Sequence, residues 1–323
     1  MKLVEVYRND NGYLLCGDCL QEMKNIPDNS VDLVFTSPPY SDIKKHHQSE
    51  IDDNYVHGVD ENQYPDWICN VSKEICRVLK PSGSFVLNLN SYYIRGTYGK
   101  RSLYVFKSLI KIAEQSGLTF AQDLIYVKLC PIPCTLATKY FRFRDATEYL
   151  FWFVKDTRKT KIRIERILWK ISKSSLESIT RKAKCFKNNR MLNPSGHSTN
   201  YQHAYETMLE KDGVTPMNYV VLSNAQPMDI KLQNIFKEFN ISHPARFPIV
   251  LPEYFIHALT DENDVVLDPF VGSGTTLLAA DKLNRRWIGI DISEKYCTVI
   301  KTYFERKFKI RKIDDYEHRN GKS

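Results

Sequence analysis

The stretch VVLDPFVGSGTTLLAA, Val265–Ala280, constrains the possible fold more than any other part of the chain. An apolar run ends at Asp268, and Gly272 and Gly274 lead into a helical pattern that starts near Thr275. Strand, glycine loop and helix in that order put a ligand-binding turn at the carboxyl edge of a parallel sheet. The glycines let a ligand approach the backbone closely. Leu277 stands where a GxGxxG motif needs its third glycine, and no Gly-Lys-Ser/Thr follows. That spacing argues against a dinucleotide and against a triphosphate.

The next strand pattern, WIGID, ends on Asp291, a position from which an acid can take both hydroxyls of a ribose. The plainer reading is that Asp291 or Ser293 caps the last helix. Paired with the glycine loop, ribose binding is the better reading. A loop with no phosphate cradle beside a ribose acid describes an adenosine ligand without phosphate, and S-adenosylmethionine is the candidate.

The rest of the chain alternates strand and helix patterns in two blocks. The first holds a short helix in DCLQEMKNI, the strand Val31–Phe35 and a helical spacing of Tyr64, Trp67, Ile68, Val71, Ile75, Val78 and Leu79. KPSG stops that helix, SFVLNLN reads as a strand, and YVFKSLIKIAEQSG reads as a helix closed by Gly117. FAQDLIYVKL and EYLFWFVK are further strands. The second block begins near Pro252 and runs helix, strand, glycine loop, helix, strand and final helix, with RKIDDYEHRNGKS expected as a frayed tail. This alternation predicts an α/β fold with a doubly wound, mostly parallel sheet to which both blocks contribute.

Between the blocks, residues 155–190 carry thirteen Lys/Arg against three Asp/Glu, a local surplus of +10 against +8 for the whole chain. A lysine-rich solvated surface is the bland reading. Ile162, Ile164, Ile167, Leu168, Trp169 and Ile171 argue instead for a folded segment that presents cations to a polyanion. Lys159, Lys161, Arg163, Arg166 and Lys170 are the candidate phosphate contacts. The eight cysteines lack a second pair at zinc spacing, so no metal site is expected and buried thiols in a reducing cytoplasm are the reading. No run of 18 apolar residues occurs, and no membrane partner is expected.

TSPPY, Thr36–Tyr40, follows the apolar strand VDLVF directly. Neither proline can donate to a ladder, so the strand must end here in a stiff loop. With DPFVGSGTT, this segment resembles the paired motifs of amino-methylating DNA methyltransferases. GDCLQEM, LKPSGSFVL (Leu79–Leu87) and SHPARFPIVLPEYFI (Ser242–Ile256) are similar to three further segments of that family. The order, catalytic motif before cofactor motif, is that of the circularly permuted beta group. The match covers roughly residues 14–155 and 240–305.

The resemblance implies a Rossmann-like methyltransferase fold. Residues 1–155 would form a catalytic half, 156–240 an inserted target-recognition region and 241–323 a half that binds S-adenosylmethionine. It implies cofactor contacts at Asp18, Thr36, Asp268, Phe270, Gly272, Gly274, Thr275, Thr276 and Asp291, with Asp18 near the adenine. It further implies a catalytic set of Ser37, Pro38, Pro39 and Tyr40 acting on a flipped base in double-stranded DNA. Serine before the prolines points to cytosine N4, with adenine N6 as the alternative. A cognate restriction endonuclease sharing the site is compatible with it. A DNA-binding specificity protein with a decayed cofactor fold is opposed by two intact motifs. A nicotinamide oxidoreductase is opposed by the missing glycine. The loop 41–63, with Lys44, Lys45, His46 and His47, reads as a polar flap over the base.

Overall fold

Strands buried on both faces need continuous apolar runs, and three of them form the middle of the sheet. They are β3 (Val31–Thr36), β10 (Val265–Asp268) and β11 (Arg286–Asp291). Every residue of β3 and β10 is buried. The structure, a computed structural model, describes residues 5–40, 59–94, 99–129, 145–170, 213–223, 228–241 and 246–320, with scattered positions between 97 and 211. The described residues fall into two compact units, Met1–Lys161 with Asn218–Ser323, and Ile162–Met217.

The first unit carries a nine-stranded sheet. Its remaining strands are β1 (Glu5–Arg8), β2 (Gly12–Cys16), β4 (Leu79–Leu89), β5 (Thr119–Lys128), β6 (Thr147–Val154) and β9 (Tyr219–Leu222). Their order across the sheet is β1-β2-β11-β10-β3-β4-β6-β5-β9. From β2 to β4 all neighbours are parallel; β1 is antiparallel to β2, and β6 is antiparallel to both β4 and β5. Both sequence blocks thus contribute to one mostly parallel sheet, as expected.

Helices follow the parallel strands. They are α1 (Cys19–Glu22), α2 (Tyr64–Val78), α3 (Tyr104–Gln115), α4 (Ile230–Glu238), α5 (Val250–Leu259), α6 (Thr275–Lys282) and α7 (Glu294–Asn320). From β3 the chain crosses through α2 to β4, on one side. From β10 it crosses through α6 to β11, on the other side. The crossovers diverge between β3 and β10, which makes that gap the switch point where ligands of open α/β sheets bind.

Two local expectations differ from the structure, and two features go beyond them. KPSG does not stand between helix and strand: α2 ends at Val78 and β4 already begins at Leu79. The pairing with β3 jumps from Val31↔Leu79 to Leu33↔Ser84, and the extra residues of KPSG are accommodated in that irregularity. The tail expected to be irregular continues α7 to Asn320, because no glycine or proline interrupts residues 294–320. The hairpin β1–β2 adds two strands ahead of the first block; its turn is held by Asn9 Oδ1, which accepts the N–H groups of Asn11 and Gly12. Finally, β9 pairs with β5 and belongs to the sheet unit, and the second unit spans Ile162–Met217.

The second unit holds the antiparallel pair β7 (Met191–Leu192) and β8 (Ser198–Thr199). Two backbone hydrogen bonds between Trp169 and Val214, at 2.9 and 3.0 Å, tie the start of this unit to its end. The expectations for Lys44, Lys45, His46 and His47 lie outside the described residues. No helix among the described residues is long and apolar enough to cross a membrane.

Candidate active site

The carboxyl ends of β2, β11, β10 and β3 lie side by side, and the predicted cofactor and catalytic residues sit on the turns that leave them. At the switch point itself, Thr36 Oγ1 donates to Asp268 Oδ1 at 2.6 Å. Thr36 is the last residue of β3 and Asp268 the last of β10, and both are buried. The same Asp268 oxygen accepts the Phe270 N–H at 3.0 Å. Asp268 therefore fixes the start of the glycine loop against the end of the TSPPY strand.

Asp291 ends β11. Its Oδ2 accepts the Gly272 N–H at 2.7 Å, and its Oδ1 accepts the Ser293 N–H at 2.8 Å. The cap of α7 is Ser293, whose hydroxyl accepts the Tyr296 N–H at 3.4 Å. Asp291 is therefore not needed as the helix cap. Each carboxylate oxygen has two lone pairs, so both oxygens of Asp291 keep acceptor capacity for a diol. Burial pushes the Asp268 carboxyl up to about 6 despite its bonds from Thr36, Phe270 and Thr276. Burial also pushes Asp291 up to about 6, against the Ser293 and Gly272 N–H groups.

The glycine loop is shaped by its two left-handed residues, Gly272 at φ 50° and Gly274 at φ 82°. Gly274 is also the N-cap of α6. Ser273 and Thr275 share a hydroxyl contact of 3.0 Å across the turn. Asp18 follows β2, is exposed, and caps α1 by accepting the Gln21 N–H at 3.1 Å. Its neighbour Gly17 donates to the Asp291 backbone carbonyl at 2.9 Å, which brings the β2 and β11 turns together.

The TSPPY loop leaves β3 with Pro38 buried and Ser37, Pro39 and Tyr40 partly buried. Ser37 Oγ has no hydrogen-bond partner among the described residues, and a hydroxyl oxygen can accept as well as donate. Trp67, from α2, packs its ring 5.4 Å from that of Phe270. Tyr40, Trp67, Tyr92 and Phe270 are partly buried rings against the core. The role of Trp67 here was not legible in the sequence, where it reads only as one residue of an apolar helical stripe.

A family profile for DNA methylases (N6_N4_Mtase) matches residues 31–302, most of the chain. The chain belongs to the DNA methylase family. The type II methyltransferase M.PvuII of Proteus hauseri is 30% identical over 98% of this chain and 91% of its own length. The type II methyltransferase M.BamHI of Bacillus amyloliquefaciens is 29% identical over 97% of this chain, which spans 62% of that larger protein. Among solved structures, the PvuII DNA methyltransferase (cytosine-N4-specific) superposes with a TM-score of 0.68 at 27% identity, over 93% of this chain and 88% of that one.

In this methylase the basic candidates separate into different environments. Lys159, Arg166 and Lys170 are exposed, and Arg163 is partly buried. Lys161 does not fit the expected phosphate contact. Its Nζ lies 2.5 Å from Asp264, 3.3 Å from Asp261 and 3.8 Å from Asp32. Burial works against its charge, but the Asp264, Asp32 and Asp261 carboxylates outweigh it and raise its pKa. Lys161 thus lies among three acids near the amino ends of β3 and β10, the opposite end of these strands from the glycine and TSPPY loops.

Proposed function

We propose that this DNA methylase transfers a methyl group from S-adenosylmethionine to the exocyclic N4 amine of a cytosine flipped out of duplex DNA. The observation that carries the reading is the Thr36–Asp268 hydrogen bond, which couples the TSPPY loop to the glycine loop across the switch point. The TSPPY loop and the glycine loop are thereby held together at one sheet edge.

The residues fit the cofactor. Asp291 would hold the ribose hydroxyls with its remaining lone pairs. Gly272 and Gly274 present bare backbone, and Phe270 and Asp18 stand at the turns on either side of Asp291. Asp268, Thr36 and Thr276 shape the loop from beneath. The bound cofactor supplies an electrophilic methyl group on a sulfonium centre.

The chain's own work falls to the TSPPY loop. The lone pair of a cytosine amine is delocalised into the ring. Accepting hydrogen bonds from both amine protons pulls the nitrogen toward tetrahedral geometry and frees that pair. Ser37 Oγ accepts one bond, and the Pro38 carbonyl, two residues beyond the end of β3, accepts the other. Tyr40 offers a flat face for the flipped base. Enzymes that methylate a base inside a duplex must extrude it from the stack, at a cost of a few kcal/mol in lost stacking and pairing. The proline pair keeps the acceptors in place, so they need not be oriented anew at each turnover. Lys159, Arg163, Arg166 and Lys170 would contact phosphates. The cytosine-N4 description of the PvuII structure supports the choice of base. The type II designation of the relatives supports a partner endonuclease for the same site.

The test is to methylate random-sequence duplex DNA with labelled cofactor, digest it to nucleosides and identify the product. N4-methyldeoxycytidine is the expected result. N6-methyldeoxyadenosine alone would overturn the base assignment, and the absence of label in DNA would overturn the reaction.

A further inference from the structure

Pro39 is followed by the base-stacking candidate Tyr40 and preceded by the two proposed acceptors. Its carbonyl accepts a hydrogen bond from the Tyr64 hydroxyl at 3.0 Å, across 25 residues of sequence. Tyr64 is the first residue of α2 and is fully buried. Its ring meets Tyr104 edge-on at 4.8 Å and Trp67 at 5.2 Å, and its N–H donates to Asp60 O at 2.8 Å. The neighbouring ring anchors backbone in the same way, since the Tyr104 hydroxyl donates to the Asn90 carbonyl just past the end of β4.

The backbone of the loop has few soft dihedrals. Proline rings fix φ at both Pro38 and Pro39. A residue before proline is confined to extended ψ, which settles Pro38. Of the backbone dihedrals within the two prolines, the ψ angle of Pro39 is the one left free, and it sets the direction in which the chain enters Tyr40. Rotation about it swings the Pro39 carbonyl, the group that Tyr64 holds.

We infer that Tyr64 is a positioning residue, whose buried hydroxyl fixes the Pro39 peptide and so sets the angle between the amine acceptors and the stacking face of Tyr40. The inference rests on the proposed role of Ser37, Pro38 and Tyr40. Tyr64 does not act as an acid or base: burial, with the nearby Tyr104 and Tyr40 phenols, drives its own pKa well above the ordinary 10. It donates its proton to the Pro39 carbonyl throughout the working pH range.

The experiment compares Tyr64→Phe, Tyr104→Phe and Ser37→Ala by single-turnover methyl transfer at saturating cofactor and DNA, with both affinities and thermal midpoints measured. Tyr64→Phe keeps every ring contact and loses only the hydroxyl. Its transfer rate should fall about ten- to hundredfold, the scale of a small misplacement of reacting groups. Affinities for cofactor and DNA should stay within about twofold, so the loss appears in kcat and not in KM. Tyr104→Phe removes an equally buried hydroxyl from the neighbouring strand end and should keep a rate within about threefold of the native protein. An unchanged rate in Tyr64→Phe, with Ser37→Ala inactive, overturns the inference while leaving the proposed reaction intact. Equal losses in both tyrosine variants, accompanied by weaker binding, also overturn it, since general loosening would then explain the effect. Full activity in Ser37→Ala overturns the reading of the loop and this inference together.

Discussion

Thr36 and Asp268 are 232 residues apart in sequence and 2.6 Å apart in the fold, joined by a buried hydroxyl-to-carboxylate hydrogen bond. Each is the last residue of its strand, one leading to the TSPPY loop and the other to the glycine loop. Through this bond, the position of one loop is defined relative to the other.

Replacing Thr36 with valine keeps the volume and deletes the donor. The cost should be about 1–3 kcal/mol, since a buried carboxyl loses its hydroxyl partner. The loss should also depend on pH. The folded Asp268 carboxyl titrates near 6 instead of 3.8, so the folded state holds an extra proton between those values. That contribution weakens as pH rises from about 4 to 6 and levels off above. Without Thr36 the carboxylate form is penalised further, so the gap between variant and native protein should widen as pH rises past 6. Urea unfolding of both proteins at pH 5 and pH 8 reads this; equal gaps would reject the coupling.

Cofactor affinity should carry the titration of Asp291. Its carboxyl is raised to about 6 by burial, and only the ionised form keeps both oxygens as acceptors. Binding should be level above pH 7 and fall by up to about tenfold per unit below pH 6. An ordinary carboxylate would not begin to lose binding until near pH 4. In Asp291→Asn, calorimetry should find weaker binding with that pH dependence removed. Asp291→Ala should weaken binding by at least ~1.5 kcal/mol and also slacken the Gly272 turn that the acid holds.

The cations of the basic segment should divide by environment. Replacing Lys159, Arg166 and Lys170 with alanine should flatten the salt dependence of DNA binding by about 0.9 in log–log slope for each phosphate left unneutralised. Lys161→Ala should leave that slope unchanged and cost about 1–3 kcal/mol of stability, because Asp264 and Asp261 lose their cation while Asp32 keeps Lys80 at 2.7 Å. Fluorescence anisotropy across a salt series, with a denaturation curve for each variant, separates the two groups.

Gly274→Ala tests the loop itself. The residue sits at φ 82°, and an added Cβ would lie 3.2 Å from Ile300 Cγ1. The strain should cost about 1–2 kcal/mol. Cofactor affinity should fall with it, whereas DNA affinity measured without cofactor should not change.

Much of this protein was legible in one dimension because its signals are local. Alternating apolar runs and helical stripes marked β3, β10, β11, α2 and α6. A strand end, two glycines and an N-cap are adjacent in sequence, so the glycine loop announced its own geometry. Two prolines stop a strand wherever they occur, which made TSPPY a rigid loop before any fold was known. What the sequence could not determine were the pairings between distant segments. Which strands become neighbours depends on how apolar faces pack across the whole sheet, and no local periodicity records that β10 lies beside β3. The same limit hid the Thr36–Asp268 bond, and with it the Tyr64 hydroxyl on Pro39. It also made Lys161 look like a phosphate ligand. Its charge is the same in the sequence and in the fold, but only the tertiary structure brings three carboxylates within 4 Å of it and decides what that charge is for.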